Sequence, residues 1–131
     1  MSAVYLDSSA FVKLVVEETE SAAVRAFLAN RDARRVSSAL LRTESLRAVR
    51  NLGPDVLAIV REGLRRVDLI GIDDRTLDAA GMLEPQVLRT LDAIHLATAM
   101  AVGDDLDVIV TYDERMVEAA RLLGLSTATP R

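Results

Sequence analysis

Four acidic residues sit at the seams of apolar segments, and that placement constrains this chain more than any other feature. Asp7 ends the run Val4, Tyr5, Leu6; Asp113 follows shortly after Val108, Ile109 and Val110; Asp92 opens an apolar helix; Glu44 lies inside another helix. Short β-branched runs without polar interruption suit strands buried on both faces, and their alternation with helical spacing indicates a parallel sheet covered on each side. In such sheets, loops and helix N-termini converge outside the carboxyl ends of the strands. Asp7 and Asp113 are therefore delivered to one edge, and Asp92 joins them if its helix runs antiparallel to the strands. Glu44, mid-helix, is free to face anywhere.

The spacing predicts helices over residues 9–16, 20–30, 39–52, 55–66, 75–83, 91–102 and 114–123. Gly53-Pro54 stops the third, Asp73 or Asp74 caps the fifth, and Gly124 ends the last. Strands are expected at 4–6, around Val36, at 67–72, at 108–110 and at 125–128, with Gly71 weakening the third. The chain is 131 residues long, which suits one domain over 1–131. With 50% hydrophobic and 3% aromatic residues, its core is built from Leu, Val, Ile and Ala.

The inventory excludes several chemistries. There is no cysteine and one histidine, His95, so disulfides, Cys or Cys/His zinc sites and a cysteine nucleophile are out, and any metal must be held by oxygen. Pairing His95 with Ser8 or Ser9 in a serine hydrolase lacks a G-x-S-x-G elbow and leaves Glu44 and Asp113 without a role. The N-terminus has no basic region before its apolar stretch, and the longest low-charge run, 93–103, is shorter than the roughly 20 residues of a membrane span. The expectation is a soluble, cytoplasmic protein with no membrane partner. A formal charge of −4 argues against coating nucleic acid by bulk electrostatics. A nuclease escapes that objection, because cations cancel its carboxylates while a local rim of arginines grips phosphate.

Four hard oxygen ligands suit Mg²⁺ or Mn²⁺. Each acid also has an ordinary reading: Asp7 and Asp113 as helix caps, Asp92 as complement to a helix dipole, Glu44 as partner of Arg47 one turn on. Their conjunction, and the charge of Asp92 on an apolar helix, favour a metal. Asp107 and Glu114 are second-choice ligands. Two carboxylates about 4 Å apart repel by roughly 4 kcal/mol at an effective dielectric of 20, so a divalent cation should stabilise the fold.

Val4-Tyr5-Leu6-Asp7-Ser8-Ser9-Ala10, Thr43-Glu44, the stretch from Leu91 to Ala99 and Val110-Thr111-Tyr112-Asp113 together resemble the PIN-domain ribonucleases, and the length is similar to that of the VapC toxins of toxin–antitoxin pairs. The resemblance covers nearly the whole chain in the right order. It implies a PIN-like three-layer α/β/α sandwich with a five-stranded, mainly parallel sheet, and a Mg²⁺- or Mn²⁺-dependent endoribonuclease. It also implies a homodimer and a cognate VapB-like antitoxin whose C-terminal segment covers the active site. The metal-holding roles carry over to Asp7, Glu44, Asp92 and Asp113. Ser9, Lys13, Arg42, Arg89 and Arg115 are candidates for contacting the RNA. One departure stands out: some relatives carry an additional acid beside the fourth position, where this chain has Thr111 and Tyr112. Outside this reading, the alternatives are a non-catalytic PIN-like partner-binding module and a nuclease of RNA processing.

Overall fold

The first strand shows how the chain organises itself. β1 (Ala3–Leu6) is buried at every position, and its pleat sends Val4 and Leu6 into one apolar cluster and Ala3 and Tyr5 into another. A strand with two buried faces must lie in the middle of a sheet between layers of helices, and it does. In a computed structural model of residues 1–131, β1 lies between β2 (Arg34–Ser38) and β4 (Leu106–Val110), with β3 (Asp68–Ile70) and β5 (Thr127–Ala128) at the edges. The order is β3-β2-β1-β4-β5 and every pairing is parallel, so the sheet is wholly rather than mainly parallel.

The helices are α1 (Ser8–Val15), α2 (Ser21–Ala29), α3 (Leu40–Val49), α4 (Pro54–Leu64), α5 (Asp74–Gly81), α6 (Thr90–Val102) and α7 (Glu114–Leu122). One layer packs Phe11 of α1, Val24 and Leu28 of α2, Leu41 of α3 and Val60 of α4 against Val4 and Leu6. The opposite layer packs Leu96 and Ala99 of α6 and Met116, Ala119 and Ala120 of α7 against Tyr5, Val36 and Ile109. α5 closes over α6 through Ala80, Ala93, Ile94 and Ala97. Where α4 crosses α1, a Cβ at Gly63 would meet Val15 Cγ1 at 2.6 Å, so only glycine permits that approach.

Element identities follow the sequence pattern, and the ends differ by a few residues. β4 begins at Leu106, ahead of the apolar triplet, because Leu106 pairs with Ala3 despite the exposed Asp107 between. β3 is cut to three residues, stopping before Gly71, and the helix expected to run to 52 ends at Val49. Because β2 and β3 extend the sheet on one side of β1 and β4 and β5 on the other, the winding reverses at β1 and β4. Their carboxyl ends flank the crevice where open α/β sheets take ligands.

Candidate active site

Two carboxylates reach this crevice as extensions of strands. Asp7 directly follows β1 and is the N-cap of α1, its Oδ1 accepting from Ala10 N at 3.0 Å. Asp113 follows β4 and caps α7, accepting from Arg115 N at 2.9 Å. The capping reading of these residues is therefore right, and it does not compete with a role in the cleft. A cap at the end of a buried strand faces the crevice by construction. Asp92 arrives in the first turn of α6, and Glu44 comes from one turn into α3. Together they line one cleft of about 350 Å³, with Ser9 and Arg89 in the wall.

Asp7 is the deepest of the four, 4% exposed. Its Oδ1 also accepts from Ser9 Oγ at 2.6 Å and its Oδ2 from Thr111 Oγ1 at 2.5 Å. Burial pushes its carboxyl above the usual carboxylate range, and the hydrogen bonds from Ser9, Thr111 and Ala10 work against that rise. Thr111 Oγ1 in turn accepts from Asp113 N at 3.1 Å, and Ser9 Oγ accepts from Tyr112 N at 2.9 Å. Two hydroxyls thus tie the end of β4 to the end of β1. At the corner beside Asp113, Thr111 supplies a donor to Asp7.

Glu44 does not pair with Arg47. Its Oε1 meets Nε2 of His95 at 2.5 Å, and His95, 1% exposed, meets the Tyr5 hydroxyl through Nδ1 at 2.6 Å. The sequence pointed to His95 only as a core residue and to Tyr5 only as part of a strand. The one signal for their contact was that His95 lies one turn after Asp92, on the side of α6 that must face the sheet.

Arg89, at the start of α6, bridges the remaining two acids. Its Nε donates to Asp92 Oδ2 at 3.2 Å and its Nη2 to Asp113 Oδ2 at 2.9 Å. The hydrogen bond to Asp92, then the charges of Asp92 and Asp113, raise the guanidinium pKa. The other basic candidates stand apart from the cleft. Lys13 pairs with Glu20 at 2.9 Å and lies over the Tyr112 ring, while Arg42 and Arg115 are exposed on α3 and α7 outside the lining. Asp107 pairs with Arg31 near the opposite, amino end of β4, and Glu114 is exposed and also outside the lining.

The donor set is chemically suited to a hard divalent ion: four carboxylates around one cleft, with no sulfur and both nitrogens of the one imidazole taken, by Tyr5 and by Glu44. No three acidic or imidazole groups are drawn together around a single point. The charge they share is balanced at its outer side by Arg89.

Comparison with known proteins agrees with this architecture. The PIN domain model matches residues 4–122, which takes in both central strands, all seven helices and all four carboxylates, and the chain belongs to that family, among its VapC-type members. It is 52% identical over 130 residues to ribonuclease VapC46 of Mycobacterium tuberculosis, with 99% of each chain covered. Identity to ribonuclease VapC35 of the same species is 42%, covering 97% of this chain and 96% of the relative. The crystal structure of Mycobacterium tuberculosis VapC20, described as a sarcin-ricin loop cleaving toxin, superposes with a TM-score of 0.76 at 13% identity, over 97% of this chain and 99% of that one. At that identity the match speaks for the fold alone.

Proposed function

We propose that the chain is an endoribonuclease that hydrolyses RNA phosphodiester bonds in the β1/β4 cleft, dependent on Mg²⁺ or Mn²⁺. The observation that carries this reading is the convergence of Asp7, Glu44, Asp92 and Asp113, drawn from four separate segments, on one crevice at the reversal point of the sheet. Full-length similarity to proteins named ribonucleases supports it. Asp7, Asp92 and Asp113 would hold the ion, with Glu44 as a further ligand or as the group that orients the attacking water. A divalent ion held there supplies polarisation of the scissile phosphate and of that water.

The chain's own residues do the rest. Ser9, Thr111 and Ala10 N fix both oxygens of Asp7, so that carboxylate is in place before anything binds. Arg89, with its side chain 61% exposed, holds a guanidinium over the mouth of the cleft, where a planar fork of donors matches a phosphate. Ser9, already donating to Asp7, has no spare proton for phosphate, and it serves the cleft by positioning.

The physiological role proposed is that of the toxin in a type II toxin–antitoxin pair, active in the cytoplasm and neutralised by a VapB-like antitoxin. The similarity to VapC proteins supports it, as does an open groove of about 440 Å³ between α1 and α4, in which Leu14, Val15, Ala58 and Ile59 stand beside Glu62 and Arg66, a mixed lining that suits an amphipathic helix. Homodimerisation is supported by the exposed Leu77, Met82, Val87 and Leu91 around the α5–α6 region. No helix is long and apolar enough to cross a membrane.

The test is incubation of purified protein with mixed RNA and Mn²⁺. Cleavage that disappears with a chelator and with Asp7→Asn is the expected result. Cleavage unchanged by Asp7→Asn overturns the site, and failure to cleave any RNA favours a partner-binding module.

A further inference from the structure

A line of hydrogen bonds runs from the sheet to the cleft through residues that no part of the proposed reaction uses. Ser38 N, at the end of β2, donates to the Tyr5 hydroxyl at 3.1 Å; that hydroxyl meets His95 Nδ1 at 2.6 Å; and His95 Nε2 meets Glu44 Oε1 at 2.5 Å. Tyr5 is fully buried and His95 is 1% exposed, so water does not complete these bonds. The rings meet edge to face, with centroids 5.8 Å apart and planes at 84°, which leaves each ring one orientation in the core.

The direction of each proton follows from the ends of the line. The Ser38 amide can only donate, so it occupies a lone pair of the Tyr5 oxygen. Burial pushes the Tyr5 phenol far above its ordinary range, so the hydroxyl keeps its proton and offers it to Nδ1. At the other end an ionised Glu44 can only accept. Both ends require the same arrangement: Nδ1 accepts, and Nε2 carries the hydrogen and donates it to Glu44.

We propose that His95 is a positioning residue that, locked by Tyr5 and the Ser38 amide, presents its Nε2–H to Glu44 Oε1 and so fixes that carboxylate in the cleft with its other oxygen left for ion or water. Metal-site histidines usually work as ligands backed by a carboxylate, and here the order is inverted, with a histidine backing the carboxylate. The reason lies in α3. Glu44 is mid-helix, on a flexible stem with no cap or strand end to aim it, unlike Asp7 and Asp113. Without an anchor its carboxylate would sample several rotamers in the cleft.

This inference rests on the nuclease reading for its consequence in catalysis, and its geometry is testable apart from that reading. The chain has a single histidine, so ¹⁵N-imidazole NMR of the metal-free protein reports on His95 alone. The expected spectrum shows one tautomer, with hydrogen on Nε2 and an acceptor shift at Nδ1. Tyr5→Phe should shift the Nδ1 resonance, and Glu44→Gln the Nε2 proton. A hydrogen on Nδ1, or an Nε2 signal indifferent to Glu44→Gln, overturns the proposal. In Mn²⁺-dependent RNA cleavage, Tyr5→Phe and His95→Leu should lower kcat by about 10–100-fold while KM stays within about twofold, and His95→Gln, which keeps a donor toward Glu44, should recover part of the loss. Circular dichroism of each variant separates loss of fold from loss of positioning. A folded His95→Leu protein that cleaves as fast as the native one sinks the inference and leaves the ribonuclease reading standing. The predicted spectrum without RNA cleavage in any variant sinks the ribonuclease reading and leaves the geometry.

Discussion

At the inner corner of the cleft, Asp7 and Glu44 are held by fixed donors: half-buried Ser9, buried Thr111 and the Ala10 amide on one, buried His95 on the other. At the outer corner, Asp92 and Asp113 share Arg89, whose side chain is 61% exposed. The two corners obey different physics. Thr111 and His95 are buried donors whose hydrogen bonds are not exchanged for water, and for Asp7, 4% exposed, this comes at the cost of keeping a carboxyl in the interior. An exposed ion pair contributes little to stability, and its cation can be exchanged for another. The contrast suggests a division of labour, in which the inner corner is built in advance and the outer one adapts to what binds.

The largest effect expected is on activity at the inner corner. Asp7→Asn should reduce metal-dependent RNA cleavage by more than about 100-fold, beyond the range seen for residues that only support a ligand, as measured by initial rates on a fluorescent RNA. A loss under tenfold would mean that the buried carboxylate is a cap and nothing more. Next comes stability. Thr111→Val keeps the shape, takes a donor from Asp7 and an acceptor from the Asp113 amide, and should cost about 1–3 kcal/mol in urea denaturation at neutral pH.

The pH dependence sharpens the same contrast. Burial raises the folded-state pKa of Asp7 above its unfolded value. Its contribution to the stability of metal-free protein is therefore complete below the unfolded pKa and is lost as pH rises through the raised folded one. Melting curves of wild type and Asp7→Asn should converge at acid pH and separate at neutral pH, with the variant the more stable. Curves that separate in the opposite sense would show that the three hydrogen bonds outweigh burial. The smallest effect belongs to the outer corner: Arg89→Ala should leave the urea denaturation curve nearly unchanged, because an exposed ion pair contributes little to stability. Divalent ion binding should tighten in that variant, by calorimetry, because a competing cation has been removed.

Much of this was legible in the chain before any coordinates. The apolar runs Val4–Leu6 and Val108–Val110 mark the two central strands, and an acid just past each falls at the crevice because parallel sheets deliver their strand ends there. Helix ends were less legible: α3 ends at Val49, although Leu52 continues the apolar spacing and Gly53-Pro54 marks the stop further on. The direction of Glu44 was not readable at all. It depends on Tyr5, whose hydroxyl reaches a histidine 90 residues away, and on α6 lying across the sheet face that Tyr5 occupies. The surroundings of Lys13 were hidden for a related reason: its ammonium pairs with Glu20 and lies over the Tyr112 ring, and neither is its neighbour on the helix.

Mn²⁺-dependent melting of the native chain and of Asp7→Asn addresses the shared metal site most directly. At 100 times the dissociation constant a single bound ion stabilises the fold by about 2.7 kcal/mol, so the native melting temperature should climb with Mn²⁺ and saturate, while that of Asp7→Asn stays flat. A native curve that ignores Mn²⁺, or a variant that responds equally, would contradict a divalent ion held by these carboxylates.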